Sequence, residues 1–380
     1  MLFATPVLDE DDLRVLAEVS AMREKMAAYL RVPRRWAGSL RRNAEARAVR
    51  GSNSIEGINV ELDDADAALD GDEPLSADAR AFTEVQGYRR ALSYILNAAA
   101  DDHFALDVST LRSLHFMMLG HDLAKWPGRF RPGAIYVRDE RTEEIVYEGA
   151  EADEVPALVE ELMVDLRQDA SDPLVSGAMA HLNLTMIHPF RDGNGRMARA
   201  LQTLVLTRSG MAEPIFSSIE EWLGDNTEDY YAALAVTGRG RWQPGNDAHL
   251  WVKFVLRAHH LQAQLMHRRI KRTEAVYAEL QGQLERAGLH ERSLDALYAA
   301  LVGYRIRRSA YVRETQVDER TASRDLRALV DAGYLEARGE TKGRHYVRAG
   351  KLIDIRRELS DVVPISDPSP ELLAEIRRVR

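Results

Sequence analysis

Apolar residues in this 380-residue chain recur every three to four positions over long stretches, and that period restricts it to a largely helical fold. Leu13, Leu16, Val19, Met22, Met26 and Leu30 share one side of a helix expected over Glu10 to Arg31. Val32-Pro33 ends it, because proline pushes the residue before it out of the helical region. A polar, arginine-rich helix is expected from about Gly38 into Ser54. Phe82, Val85, Leu92 and Ile95 mark another from Asp78 to Ala100, with Leu106 to Leu119 following. Further helices are expected at Pro156 to Arg167, at Pro173 to Ile187, and at Arg196 to Arg208, which Gly210 closes. Two or three more reach Leu280. Glu61 to Glu73 is acidic and poor in apolar residues, and reads as an exposed connection. The period breaks at Phe130 to Tyr147, where two alternating runs flank a polar turn at Arg138 to Thr142. That is a β-hairpin signal, fitting a flap over a cleft and a plain surface hairpin equally.

The length predicts two or three domains. Hydrophobic residues make up 45% of the chain and aromatic ones only 7%, so its cores should be helical. With no cysteine there are no disulfides and no thiolate chemistry, which fits a reducing, cytoplasmic setting. The first residues lack a basic segment followed by an apolar run, so no secretory signal is expected. No stretch approaches the roughly 20 apolar residues of a membrane span, so no membrane partner is expected. The net charge of -9 argues against bulk nucleic-acid affinity. Its distribution is uneven: Gly303 to Gly350 holds eleven Lys/Arg against seven Asp/Glu, leaving that segment +4 and the remainder -13. A domain boundary is expected near residues 282–293, which are polar and irregular.

The densest chemistry lies in twelve residues, His188-Pro189-Phe190-Arg191-Asp192-Gly193-Asn194-Gly195-Arg196-Met197-Ala198-Arg199. The His188 imidazole titrates near neutrality and can take a proton from an attacking hydroxyl. An isolated histidine is more often a buried one bonded to a carbonyl. Phe190 reads as an apolar anchor for the loop. Asp192 offers the hard anionic oxygen that Mg²⁺ takes alongside phosphates, although a lone aspartate in a turn is usually a cap. Gly193-Asn194-Gly195 lets backbone N–H groups converge on an anion at a helix N-terminus. Arg196 and Arg199 are three apart, on one helical face, at the positive helix end. Two guanidiniums there call for an anion between them.

The segment resembles the Fic motif, HPFx[D/E]GNxRxxR, at every specified position. Resemblance to Fic implies a mainly α, Fic-type helical core with a β-hairpin flap, and transfer of AMP from ATP to a Ser, Thr or Tyr hydroxyl of a target protein or of the protein itself. On this sequence it implies that His188 is the general base and that Asp192 holds Mg²⁺ on the α- and β-phosphates. Gly193, Asn194 and Gly195, through their backbone, and Arg196 and Arg199 would cradle the triphosphate. The related Doc branch, which transfers phosphate, departs from Gly-Asn-Gly at this loop, so the intact glycines favour nucleotidyl transfer. The resemblance also implies a flap, with Ile135 and Tyr136, that holds a target backbone by β-augmentation. Asn226, Tyr230 and Tyr231 look like the family segment near the adenine. Family members often form homodimers.

Upstream, Ser52-Asn53-Ser54-Ile55-Glu56-Gly57 reads locally as a helix end. Gly57 is a good C′ residue, and Glu56 is poorly placed against the helix dipole, so it invites a specific partner. The pattern resembles the inhibitory motif [S/T]xxxE[G/N] of one Fic class. That implies a Glu56–Arg199 pair that obstructs the γ-phosphate, since one guanidinium cannot serve two partners.

Helices are expected at Leu294 to Val302, Ala310 to Gln316 and Glu319 to Ala332, followed by a polar hairpin. The Val317-Asp318 turn before a helix bearing Arg320, Arg324 and Arg327 resembles a winged helix-turn-helix, with Arg338 to Arg344 as the wing. Winged helices bind either DNA or protein. The chain is thus expected to comprise an N-terminal helical segment (1–75) with the inhibitory motif at 52–57, a Fic catalytic core (76–281), a winged helix-turn-helix (282–350) and a C-terminal tail or helix (351–380). Two other functions fit the same residues: a nucleotide-sensing DNA-binding regulator, and a hydrolase that removes AMP with Glu56 positioning a water.

Overall fold

Local capping chemistry starts several of the helices. The computed structural model describes all residues except 99–100, 140–141, 212, 214–217, 341–342, 360–363 and 380. Helix α1 (Glu10–Leu30) begins at Asp9, whose carboxylate accepts the Asp12 N–H while Asp12 reaches back to the Asp9 N–H, a capping box. Helix α2 (Ala37–Ile55) ends in a Schellman turn. The Gly57 N–H bonds the Ser54 carbonyl and the Ile58 N–H bonds that of Asn53, with Gly57 at φ 74°.

Glu61 to Glu73 is not an exposed connection. Leu62–Asp70 forms helix α3, and Leu62, Ala65, Ala67 and Ala68 are buried. The reason is long-range charge pairing. Arg42 holds Asp66 and Asp70, Arg305 bonds Asp63 and Asp64, and Arg313 takes Asp70 and Asp72. Asp64, fully buried, also accepts the Ser76 and Ala77 N–H groups.

Helix α4 (Ala79–Ala98) and helix α5 (Val108–Leu119) pack closely at Gly87, where an added Cβ would lie 2.0 Å from the Met118 carbonyl oxygen. The hairpin is short, β1 (Tyr136–Arg138) against β2 (Ile145–Glu148). Its register pairs Tyr136 with Glu148 and Val137 with Tyr147, and a bulge follows Val137. Part of its expected turn, residues 140–141, lies outside the described residues, as do 99–100 at the expected end of α4. Helix α6 (Val155–Gln168) leads to α7 (Pro173–Ile187), which is buried on nearly every face. Helix α8 (Asn194–Arg208) lies along α7, and its Met197, Ala198, Leu201 and Leu204 are fully enclosed.

Two short helices, α9 (Glu220–Asp225) and α10 (Thr227–Gly238), precede the 38-residue α11 (His249–Arg286), roughly 57 Å long. Helix α9 presses against α2 at Gly51, where a Cβ would meet the Glu220 carbonyl oxygen at 2.5 Å. Helix α11 runs on past Leu280 to Arg286 because Gln, Glu and Arg sustain a helix and Leu284 is buried. Its first half joins the core containing α1 and α7. Its second half, from Ala263 to Leu284, joins a different core with Trp36 at the start of α2, Leu40 of α2 and the C-terminal elements.

Those elements are α12 (Leu294–Val302), α13 (Arg308–Thr315), α14 (Glu319–Asp331) and a hairpin of β3 (Leu335–Arg338) and β4 (His345–Arg348). Ile306 pairs with Tyr346 beside that hairpin. Residues 341–342 of the expected wing lie outside the described residues. Helix α15 (Gly350–Glu358) follows, and α16 (Leu372–Val379) returns to α10 and α11, burying Leu372 and Ile376. Residues 360–363 and 380 of the expected tail are likewise undescribed. Among the described residues no helix is long and apolar enough to cross a membrane.

Gly87→Ala is expected to destabilise the fold by about 1–3 kcal/mol or more, because backbone rather than a flexible side chain blocks the new methyl. A lower urea midpoint with an unchanged m-value would register it.

Candidate active site

The site is built on the turn between α7 and α8. His188 is the C-cap of α7 with φ 54°, and its N–H bonds the Leu184 carbonyl. Left-handed backbone at a residue other than glycine is held by its surroundings. Arg131 does the holding. Its Nε donates to the His188 carbonyl at 2.7 Å, its side chain also bonds the Ala150 and Gly133 carbonyls, and its N–H bonds Pro189. The His188 Nδ1 lies 3.0 Å from the Thr185 carbonyl. A carbonyl only accepts, so Nδ1 carries the proton and Nε2 keeps its lone pair. Burial pushes the imidazole below its ordinary value, and the Arg131 charge adds to this, against the Thr185 carbonyl. The neutral, basic form therefore persists into mildly acidic solution.

The loop beyond is clamped from several sides. Phe190 is fully buried and stacked on His115, with ring centroids 3.8 Å apart. The His115 Nδ1 accepts the Gly128 N–H at 2.8 Å, which leaves Nε2 to donate to the Asp192 carbonyl at 3.0 Å. Burial drives this imidazole down to about 4, so it stays neutral. The Asn194 side chain accepts the Phe190 N–H and donates to the Phe190 carbonyl, both at 2.8 Å. It is thus a loop clamp, and only its backbone N–H remains for an anion.

Helix α8 starts earlier than expected, at Asn194. Gly193 alone of the loop glycines has positive φ, 74°, and Gly195 is helical. Gly193 caps no N–H with a side chain, so the first-turn amides of Asn194, Gly195 and Arg196 face forward without helical acceptors. Glycine at 195 serves proximity: a Cβ there would lie 2.3 Å from the Glu56 Oε1.

The two motif arginines do different work. Arg196 is buried and donates to the Glu84 carboxylate at 2.6 Å. Lys125 bridges Glu84, at 2.6 Å, and Asp192, at 2.8 Å. Burial would raise the Glu84 carboxyl, but hydrogen bonds from Arg196 and Lys125 outweigh it and hold it at about 2. Asp192 is likewise lowered: burial opposes ionisation, and Lys125 overcomes it. Its second oxygen accepts the Gly193 N–H.

Arg199 is buried too, yet its partners come from α2. It donates to the Ser52 hydroxyl at 2.8 Å, to the Ser52 carbonyl at 2.9 Å and to the Glu56 carboxylate at 2.7 Å. Glu56 therefore sits over Gly195, at the positive end of α8. Tyr230 lies buried behind this pair, its hydroxyl on His181, while the half-exposed Tyr231 bonds the Ile55 carbonyl where α2 ends. The Asn226 side chain bonds the Trp222 carbonyl between α9 and α10.

The first hairpin stands beside this turn. Tyr147 ties β2 to the Met186 carbonyl, and Gly149 bonds the Ile135 carbonyl. Tyr136 is exposed, and among the described residues β1 pairs with β2 alone. Arg320, Arg324 and Arg327 belong to α14, and all three are exposed to solvent. Sequence reasoning missed Glu84, Lys125, His115 and Arg131, which belong to no motif. The one available signal was a carboxylate at Glu84, one turn before Tyr88 on the apolar side of α4.

Residues 105–206 match the sequence model of the Fic/DOC family. The protein adenylyltransferase fic-1 of Caenorhabditis briggsae is 30% identical over 200 residues, covering 50% of this chain and 36% of its own length. The protein adenylyltransferase Fic of Nematostella vectensis is 25% identical over 272 residues, covering 67% of this chain and 56% of its own. The chain thus spans between about a third and just over half of these relatives. A Fic family protein from Desulfovibrio desulfuricans is similar in fold, with a TM-score of 0.58 and 24% identity over 91% of this chain and 98% of its own.

Glu84→Ala leaves the buried Arg196 without a counter-charge and is expected to cost roughly 3–5 kcal/mol, read from chemical unfolding. Because the Glu84 carboxyl is depressed, its contribution is present at neutral pH. It should be lost as pH falls from about 4.5 through about 2, and this loss should be absent in the variant.

Proposed function

We propose that this protein is an autoinhibited protein adenylyltransferase, moving AMP from ATP to a Ser, Thr or Tyr hydroxyl of a target protein or of itself. The reading rests on one arrangement: the His188 Nε2 lone pair beside an uncapped helix N-terminus, in the segment that matches the Fic/DOC family. His188 takes the acceptor proton, the hydroxyl oxygen attacks the α-phosphorus, and pyrophosphate leaves. The amides of Asn194, Gly195 and Arg196 suit the phosphates, because the positive end of α8 favours anions. Arg199 serves the nucleotide once Glu56 releases it. Asp192 is an ionised carboxylate at the loop, and it fits Mg²⁺ held by one carboxylate and the phosphates. The metal would neutralise phosphate charge. Arg196 acts mainly through Glu84, supporting the loop.

The Glu56–Arg199 contact supports autoinhibition. A carboxylate on the amide cradle repels phosphate and occupies the guanidinium that phosphate needs. The exposed β1 edge, with Ile135 and Tyr136, supports docking of an extended target segment. The domain division at 75, 281 and 350 belongs to the same proposal, with α11 as the element shared between the core and the C-terminal module.

The exposed Arg320, Arg324 and Arg327 support a second activity, DNA contact by α14 as a recognition helix. Three other cations of this module, Arg305, Arg307 and Arg313, are spent on the acidic α3 segment, so the free charge is smaller than the count suggests. Binding that weakens steeply with added salt would support this activity, and no binding to genomic or random duplexes would sink it.

Glu56→Gly is expected to raise AMP transfer about tenfold or more, since it removes a charge-assisted contact that competes with the nucleotide. His188→Ala in that background should abolish transfer. Mass spectrometry checks both, and no AMP on any protein with Glu56→Gly would overturn the proposal. The acid limb of the rate should fall below pH 6.5, because the depressed imidazole must protonate before the base is lost.

A further inference from the structure

Away from the Fic site, a recess of about 140 Å³ lies where α2, α11, α12 and α15 meet. It is lined by apolar residues, among them Leu40, Val276 and Leu301, and by four arginines, Arg47, Arg269, Arg272 and Arg356. Arg47 and Arg269 share the single carboxylate of Glu221. Arg272, three residues beyond Arg269 on the same face of α11, has no carboxylate within ion-pair distance among the described residues. The same holds for Arg356 in the last turn of α15 and for Arg348 beside it. Among the described residues, the only hydrogen bonds from these three guanidiniums run to backbone carbonyls, Arg272 to Arg356 at 3.5 Å and Arg348 to Leu301 at 3.4 Å. Partial burial, and then the charge of Arg356, lower both Arg272 and Arg348 from the ordinary arginine value.

This is unusual in a chain of net charge -9. Arg42, Arg305 and Arg313, on neighbouring elements, each take two carboxylates. Like charges left facing one another across a concave surface disfavour the folded state until an anion joins them. A guanidinium donates in a planar fork, and two unpaired guanidiniums arriving from two elements are best matched by a group that can offer each of them its own oxygens. A phosphate group supplies them. The recess far exceeds the ~10–15 Å³ that holds one water, but it is enclosed by helices on several sides, which suits a small molecule better than a duplex backbone.

We propose that this recess is a second anion site, distinct from the Fic loop, which binds the phosphate group of a small phosphomonoester through Arg272 and Arg356. Bound there, the ligand joins α11 to α15 beside Arg47. Arg47 lies nine residues before Glu56 on the helix axis that ends at Glu56.

The test is thermal unfolding of the full chain against inorganic phosphate and glycerol 3-phosphate at constant ionic strength. A saturable rise in Tm is expected for both. It should weaken about tenfold or more in Arg272→Gln/Arg356→Gln and persist in Gly195→Ala, which fills the cradle at the Fic loop. Both arginines are exposed, so the double variant should fold, and without phosphate its Tm should stay level or rise as repulsion is relieved. A rise that sodium chloride reproduces, or one that survives the double variant, would overturn the proposal. So would a fall in the variant's ligand-free Tm, or a short DNA duplex bound by these same two arginines.

Discussion

Two guanidiniums one turn apart on α8, each only 2% exposed, set the terms for the elements around them. A buried guanidinium has to have its charge and its N–H groups compensated, and at these two positions a carboxylate comes from another helix to do so. Arg196 draws Glu84 from α4, and Glu84 in turn orders Lys125 and, through it, Asp192. Arg199 draws Ser52 and Glu56 from the end of α2. The geometry of the loop follows from these two demands together with the packing of Phe190. A support pair and a pair open to competition thus arise from residues of the same type three positions apart. The difference lies in the partner. Glu84 is inside the protein, while Glu56 reaches its arginine from the rim, over a helix start where phosphate would be equally welcome.

Helix α2 links this site to the rest of the chain. Its far end packs into the same core as the second half of α11 and the C-terminal helices, with Tyr304 bonding Asn43 and Tyr277 bonding Ser39. Its near end carries Glu56, and α3 follows after a short link. The arginines around α13 then hold α3 by its aspartates. The C-terminal module is therefore in direct contact with both helices flanking Glu56, and any ligand of that module acts on elements continuous with the proposed brake.

Much of the helical framework was legible in the chain. The helix beginning at Asp9, the one ending at Gly57 and the one running to Ile187 are written in local patterns: cap residues, apolar period and a glycine where φ must be positive. Segment 61–73 was illegible for a physical reason. Five aspartates in eleven residues read as a solvated stretch unless their partners are known, and Arg305 and Arg313 lie more than 240 positions away. The continuation of α11 was missed because its polar end carries good helix formers whose single apolar residue, Leu284, signals burial only once its neighbours are in place.

At the site, the sequence by itself determined the inventory of chemistry: an imidazole, a carboxylate, an anion-tolerant helix start and two arginines in one turn. Those follow from residue type and spacing along one segment. Tertiary structure alone decided what each group is bound to. It assigned Arg196 to Glu84 and Arg199 to Glu56, brought Lys125 to Asp192, stacked His115 on Phe190, and braced the strained backbone of His188 with Arg131. The physical reason is that hydrogen bonds and ion pairs act over about three ångströms of space. Separation along the chain places no limit on which residues come within that reach.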